Sequence, residues 1–121
     1  MANEVKTNIA PWLNVRNSRK AVEFYILAFG AIENYRLDGD DDTVVSRLSI
    51  NGAEFWVSEG EGPGAEASVR MILTVPDPDM LFEQAVKFGA SVVYPVSESH
   101  GWRVGRIVDP YGHQWEIGRE I

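Results

Sequence analysis

Trp12, Arg47, Glu54, Trp56, Arg70, Arg106 and Glu116 are the residues of this chain best placed to do chemistry. Each lies in a strand-like segment, on the face opposite an apolar set. Over residues 9–15, Ile9, Leu13 and Val15 share one face and Ala10, Trp12 and Asn14 the other. Over 53–58, Ala53, Phe55 and Val57 oppose Glu54, Trp56 and Ser58. Over 69–75, Val69, Met71, Leu73 and Val75 face a core while Arg70, Ile72 and Thr74 turn away, and Arg47 alternates in the same sense with Val45 and Ser49. Counting residues 109–113 as a five-residue loop pairs Val108 with Gln114 and Arg106 with Glu116, so Arg106 should stand beside Glu116. A one-residue slip would bring Arg103 and Ile107 there instead. Tryptophan supplies an apolar wall, arginine a planar clamp for carboxylate or phosphate, and the pattern predicts a pocket for a small aromatic or anionic molecule. The competing structural reading is a pair of internal ion pairs, Arg106 with Glu116 or Arg70 with Glu54, because buried charges must be paired whether or not a ligand comes.

Other reactive residue types carry less. Asp38, Asp40, Asp41 and Asp42 surround Gly39, but their spacing is not that of a calcium loop and no closing glutamate follows, so the run reads as a solvated turn. His100 and His113 each adjoin a glycine, without a second histidine at ligand spacing, and read as turn residues. The absence of cysteine removes disulfides, thiolate ligands and a thiol nucleophile. With 121 residues and 45% hydrophobic content the chain is expected to form one domain, 1–121, around one core. A net charge of -7 disfavours nucleic acid and anionic membranes as partners. No apolar run approaches the ~20 residues of a membrane span, residues 1–6 lack the apolar stretch of a secretory leader, and a cytoplasmic location is expected.

The elements that must position these side chains form a duplication. A strand over 9–15 precedes a helix with Val22, Tyr25, Ile26 and Phe29 at helical spacing, capped by Asn17 or Ser18 and ended by Gly30. Strands follow over 31–37, 43–50 and 53–58, the last two joined by an Asn51–Gly52 hairpin turn. After a Gly/Pro-rich loop over 59–64 the pattern recurs: a strand over 69–75, a helix from the Asp77–Pro78 cap to about Phe88, then strands over 92–96, 101–108 and 114–118. Phe29-Gly30-Ala31 is matched by Phe88-Gly89-Ala90, Leu13-Asn14-Val15 by Leu73-Thr74-Val75, and residues 52–57 by 112–117. The fold class is therefore α+β, two tandem βαβββ modules at about 8–60 and 66–119.

Ala21-Val22-Glu23-Phe24-Tyr25 leading to Phe29-Gly30-Ala31, with Asp109-Pro110-Tyr111-Gly112-His113-Gln114-Trp115-Glu116, resembles the vicinal oxygen chelate superfamily of glyoxalases, extradiol dioxygenases, fosfomycin-resistance enzymes and bleomycin-resistance proteins. The likeness spans nearly the whole chain and is greatest to a glyoxalase-like branch. It implies curved mixed sheets enclosing a cavity, and a homodimer. The family's enzymes hold a divalent metal with one side chain from the first and last strand of each module. Carried over, those positions fall on Ala10, Trp56, Arg70 and Glu116. Of these only glutamate is a donor, since alanine has none, indole offers an N–H and guanidinium a permanent positive charge. The resemblance and the residues together lead us to expect a small-molecule-binding protein with no catalytic metal or other cofactor. Glu116 is the catalytic candidate, as a general acid or base beside an arginine-bound carbonyl. Trp12, Arg47, Glu54, Trp56, Arg70 and Arg106 are the ligand contacts. The alternative is a divalent-metal-dependent lyase, isomerase or dioxygenase of glyoxalase type.

Overall fold

A computed structural model describes residues 7–64 and 69–121. Residues 1–6, where a leader was looked for, and residue 66, where the second module was expected to begin, lie outside the described residues. The first module contains β1 (Trp12–Val15), α1 (Ser18–Phe29), β2 (Ile32–Asp38), β3 (Val44–Ile50) and β4 (Ala53–Glu59). The second contains β5 (Arg70–Thr74), α2 (Pro78–Lys87), β6 (Ser91–Ser99), β7 (Trp102–Val108) and β8 (Gln114–Glu120). Each module folds its strands into one four-stranded mixed sheet, ordered β1-β4-β3-β2 and β5-β8-β7-β6. The first strand of each module runs parallel to the last, and the other neighbours are antiparallel hairpins. This is the duplicated α+β architecture expected from the sequence.

The local signals explain most element ends. Asn51 and Gly52 both take positive φ, as a tight hairpin turn of this hand requires. Gly30 ends α1 in the left-handed region, its N–H returning to the Ile26 carbonyl at 3.0 Å. Asp77 caps α2 by accepting from the Met80 N–H at 3.2 Å, with Pro78 in the first turn. The start of α1 differs from expectation. Asn17 is left-handed and makes no side-chain cap. Glu59, at the end of β4, reaches back instead and accepts from the Asn17 N–H, the Ser18 N–H and the Ser18 hydroxyl at 2.8–2.9 Å. Those bonds, the Ser18 N–H first, hold the Glu59 carboxyl below its ordinary pKa.

Two strand starts also differ. β1 begins at Trp12, so Ile9, expected on the core face, is 95% exposed, and Val69, which precedes β5, is 73% exposed. Proline has no N–H for a ladder, and Pro11 contributes only its carbonyl, which accepts from the Trp56 N–H at 2.8 Å.

The core is one continuous cluster drawing on both modules: Leu13, Val15, Leu48, Phe55 and Val57 from the first sheet, Leu73, Ile107, Trp115 and Ile117 from the second, with Tyr25 and Phe82 among the helical contributions. Both sheets thus turn their apolar faces to the helices. Tyr25 of α1 sits at the junction, its ring 5.3 Å from Phe55 and 5.7 Å from Trp115. Its hydroxyl donates to the buried Asp109 at 2.5 Å. Burial first, and then Asp109, push the Tyr25 phenol well above its ordinary pKa. The opposite face of each sheet, here called the open face, carries the residues that alternation picked out.

Candidate functional site

Strand register sets one row of side chains across each open face. In the first sheet Trp12 pairs with Trp56, Trp56 with Arg47 and Arg47 with Tyr35. In the second, Ile72 pairs with Glu116, Glu116 with Arg106 and Arg106 with Tyr94. The rows are repeats of one another, with equivalent residues 59 or 60 positions apart. Tyrosine and arginine are kept at the two outer positions. The two positions on the parallel strands have diverged, to Trp12 and Trp56 in one module and Ile72 and Glu116 in the other.

The first row is an aromatic platform. The Trp12 and Trp56 rings are stacked, centroids 5.5 Å apart and planes 18° from parallel, and Tyr35 meets Trp56 edge-on at 5.7 Å. Arg47 lies over both Tyr35 and Trp56, 5.7 and 5.4 Å from the ring centres. Its Nε donates to Asn34 Oδ1 at 2.8 Å and stands 3.5 Å from the Glu54 carboxylate. The Trp12 indole N–H donates to Ser58 Oγ at 2.8 Å, and that hydroxyl donates to Asn14 Oδ1 at 3.0 Å. The platform is therefore fixed in orientation and close to charge-neutral, yet Trp12 remains 53% exposed.

The second row is cationic. Arg106 Nη2 donates to Glu116 Oε2 at 3.0 Å, and Arg70 Nε meets the same oxygen. Glu116 is largely buried, with 15% of its side chain exposed, whereas Arg70 is 48% exposed. Arg106 also reaches Gln114 and lies over the Tyr94 ring, 5.4 Å from its centre, while its own Nε is buried without a partner. Two guanidiniums facing one carboxylate leave an excess of one positive charge.

The hairpin register predicted for Arg106 and Glu116 is the one observed. The structure brings together Arg70, Arg106 and Glu116 on one face and Trp12, Arg47, Glu54 and Trp56 on the other. Of the two ion pairs the structural reading offered, Arg106–Glu116 forms and Arg70–Glu54 does not, since Glu54 pairs with Arg47 and Arg70 joins Arg106 at Glu116. The two groups approach at a cleft of about 290 Å³ between the modules, where Glu54 and Arg70 stand among Pro11, Phe55, Met71 and Trp115. Ala10, carried over as a first-strand position, lies outside β1, and the strand partner of Glu116 is Ile72, not Arg70. Arg70 pairs with Gln114 in the backbone and reaches Glu116 only through its long side chain. Sequence reading did not single out Tyr35, Tyr94 or Trp102. The first two were available from the repeat, since each pairs with an arginine already chosen.

The donor set does not fit a divalent ion. Trp12 and Trp56 hold the positions facing each other on the parallel strands of the first module, Ile72 those facing Glu116 in the second, and the Glu116 carboxylate is already met by two cations. Among the described residues no three His, Cys, Asp or Glu side chains are grouped to hold a metal. The Asp38–Asp42 turn is held by Arg19, which pairs with Asp38 at 2.9 Å and Asp42 at 2.6 Å. His100 sits in the turn between β6 and β7 and bonds to its neighbour Ser99, and His113 sits in the loop between β7 and β8 with its Nε2 2.8 Å from the Asn14 carbonyl.

Residues 12–118 match a family model described as a glyoxalase-like domain. An uncharacterised protein of Mycobacterium bovis is 31% identical over the whole of this chain and 88% of its own length, and one from Mycobacterium tuberculosis is 31% identical over 79% of its length. Among solved structures, TioX from Micromonospora superposes with a TM-score of 0.79 at 22% identity, covering 96% of this chain and 100% of its own. The fosfomycin resistance protein FosX of Listeria monocytogenes gives 0.79 at 16% identity, covering 98% and 96%. At these identities the structural likeness establishes the fold. Among the described residues no helix is long and apolar enough to cross a membrane.

Proposed function

Because the chain belongs to the glyoxalase-like domain family, we propose that its open sheet faces bind a small aromatic or anionic organic molecule without the help of a resident divalent metal. The observation that carries this reading is the convergence of Arg70 and Arg106 on a single Glu116 oxygen, which leaves unneutralised positive charge on a half-open surface. A purely structural ion pair would need one arginine. The Trp12–Trp56 stack supports the aromatic part of the reading, because a locked and exposed indole is a flat surface to which rings add at little entropic cost. A structure of FosX contains Mn(II) and sulfate. In this chain arginine, tryptophan and isoleucine side chains surround the only carboxylate of the second row, so a guanidinium supplies the positive charge. If the bound molecule is turned over, Glu116 is the group within reach to move a proton, and Arg70 the one to hold a developing oxyanion.

A second copy of the chain is proposed to cover the open faces. Ile32, Leu37, Trp12 and Ile72 are each more than half exposed there, and β1 and β5 present unpaired sheet edges. Light scattering at micromolar concentration should give the mass of a dimer, and a stable monomer would reject this. A cytoplasmic location is part of the same proposal, with aromatic or carboxylic small molecules as candidate ligands.

The test of the site is calorimetric titration of purified protein with benzoate, phenylacetate and inorganic phosphate, alongside elemental analysis of the same sample. Binding of at least one anion that is abolished in Arg70→Ala, with less than one equivalent of divalent metal present, is the expected result. Stoichiometric zinc, manganese, nickel or iron surviving mild chelation would overturn the metal-free reading. Anion affinities unchanged in Arg70→Ala would overturn the site.

A further inference from the structure

Both arginine contacts to Glu116 end on Oε2. Oε1 receives no hydrogen bond from any described residue, although the side chain is mostly buried. Glu116 thus shows the open face a carboxylate oxygen whose lone pairs have no protein donor, directly beside guanidinium N–H groups that are donors only. Arg70 approaches Glu116 most closely through its Nε, and about half of its side chain is exposed. A ligand fitting this pair of groups must accept from Arg70 and donate to Glu116 Oε1 from neighbouring atoms.

Beside the pair lies a separate apolar pocket of about 200 Å³, lined by Ile72, Trp102, Val104 and Gly118 with Glu116 at its edge. Register explains it: Ile72 is the strand partner of Glu116, and Gly118 that of Val104. Trp102 stands at the start of β7 with 36% of its surface exposed, and forms a wall. The volume is below the ~300–1,000 Å³ usual for ligand pockets, so it suits one ring or one branched alkyl group and not a polycycle. Charge narrows the choice further. Two guanidiniums and one carboxylate leave one positive charge, which a monoanion cancels. A zwitterion would bring an ammonium into that excess.

We propose that the open face of the second sheet selects monoanionic carboxylic acids that carry a neutral hydrogen-bond donor on the carbon next to the carboxylate and a ring or branched alkyl group beyond it. The carboxylate takes Arg70, the donor takes Glu116 Oε1, and the apolar group fills the Trp102 pocket. This rests on the reading of that face as the ligand site and adds to it what Glu116 reads.

The test uses three probes of nearly equal size in calorimetric titrations of the intact protein. Mandelate has the carboxylate, the hydroxyl donor and the ring. Phenylacetate lacks the donor, and phenylglycine replaces it with an ammonium. A hydrogen bond to a charged acceptor predicts mandelate binding about tenfold or more tighter than phenylacetate, with phenylglycine weaker than mandelate. In Glu116→Gln, an amide whose oxygen stays towards the guanidiniums presents N–H to the ligand, so the preference for mandelate should fall below about threefold. Trp102→Ala should weaken mandelate and phenylacetate alike, and decides the pocket assignment even if Glu116→Gln does not fold. Equal affinity for mandelate and phenylacetate, both lost in Arg70→Ala, would overturn the selection by Glu116 and leave the anion site standing. Tightest binding of phenylglycine would overturn the charge argument. Failure of all three to bind at millimolar concentration, with phosphate and benzoate also silent, would overturn the underlying site.

Discussion

Replacing Asp109 with alanine should strongly destabilise this protein, although the residue bonds to none of the arginines. Asp109 is the one acidic or basic side chain buried among the described residues. Its Oδ2 accepts from the Tyr25 hydroxyl at 2.5 Å and the Trp115 indole N–H at 2.8 Å, and its Oδ1 from the Tyr111 and His113 N–H groups at 2.9 and 3.0 Å. Tyr25 and Trp115 are themselves buried, so alanine would leave two donors without water or protein partners, at about 1–3 kcal/mol each. The turn N–H groups are within reach of water and add roughly 0.5 kcal/mol apiece. Allowing for non-additivity among neighbours, the loss is about 4 kcal/mol, a large share of the ~5–15 kcal/mol available to a small domain. Asp109→Asn keeps an oxygen for the turn but sets an amide N–H against the Trp115 N–H, and should cost about half as much. Urea titration followed by tryptophan fluorescence reads the series. With a slope of ~2 kcal/mol per molar, Asp109→Ala should lower the midpoint by about 2 M. Because Asp109 joins α1 of one module to the last hairpin of the other, near-ultraviolet circular dichroism should report loss of both modules in one transition. A loss below about 1 kcal/mol at unchanged slope would refute the reasoning, since two buried donors would then have found partners the structure does not show.

Three further outcomes follow from the same structure. The Tyr25 phenol is raised in the folded state, so its contribution is intact below the unfolded value of ~10 and is lost as pH rises above it; urea midpoints should fall between pH 10 and 11, and Tyr25→Phe should flatten that limb. Glu59 is lowered in the folded state, so its contribution is present above the unfolded value of ~4.3 and is lost progressively as pH falls through its folded pKa; Glu59→Ala should cost about 1 kcal/mol at pH 7, and less as pH falls, in denaturant titrations. Arg70→Ala should cost about 1 kcal/mol or less, because half of that side chain is in water and Arg106 still pairs with Glu116. Arg106→Ala, removing the more buried partner, should cost about 2 kcal/mol, and thermal melts showing the reverse order would contradict the geometry.

How much of this was legible in the sequence depended on whether the signal was local. Alternation placed Arg47, Trp56, Arg70 and Glu116 on the face away from the helices, because a half-buried strand repeats every two residues whatever surrounds it. The Arg106–Glu116 pairing was countable, because a hairpin loop fixes the register of its strands. No loop length fixes the parallel pairs, since a whole helix lies between their strands. The first-strand positions carried over from the family resemblance, Ala10 and Arg70, are accordingly not the strand partners of Trp56 and Glu116, which are Trp12 and Ile72. The cap of α1 was sought at Asn17 or Ser18, where propensity points, but is supplied by Glu59 from 41 or 42 residues away. Asp109 read as a turn residue, which it is; its bond to Tyr25 spans 84 residues and has no local signature.

The divergence of the repeat gives each sheet its own chemistry. In both rows a tyrosine supports an arginine from the side, and that half of the site is the same twice. What stands on the other side of the arginine differs. In the first row it is Trp56, and the Arg47 charge is taken up by Asn34, Glu54 and two rings, so nothing is left over for an anion. In the second row it is Glu116, which would by itself cancel Arg106 and leave a closed structural pair. Arg70 prevents that closure: it stands on an edge strand, brings its Nε against the same carboxylate oxygen, and keeps about half of its side chain in solvent. The net charge of the whole chain is -7, so long-range attraction cannot bring an anion here, and only a short-range excess of guanidinium can hold one. Arg70 is the residue that creates that excess. It has no counterpart in the first row, where the position 60 residues earlier is Ala10. One arginine at the start of β5 therefore separates a neutral aromatic surface from a cationic one built on the same duplicated frame.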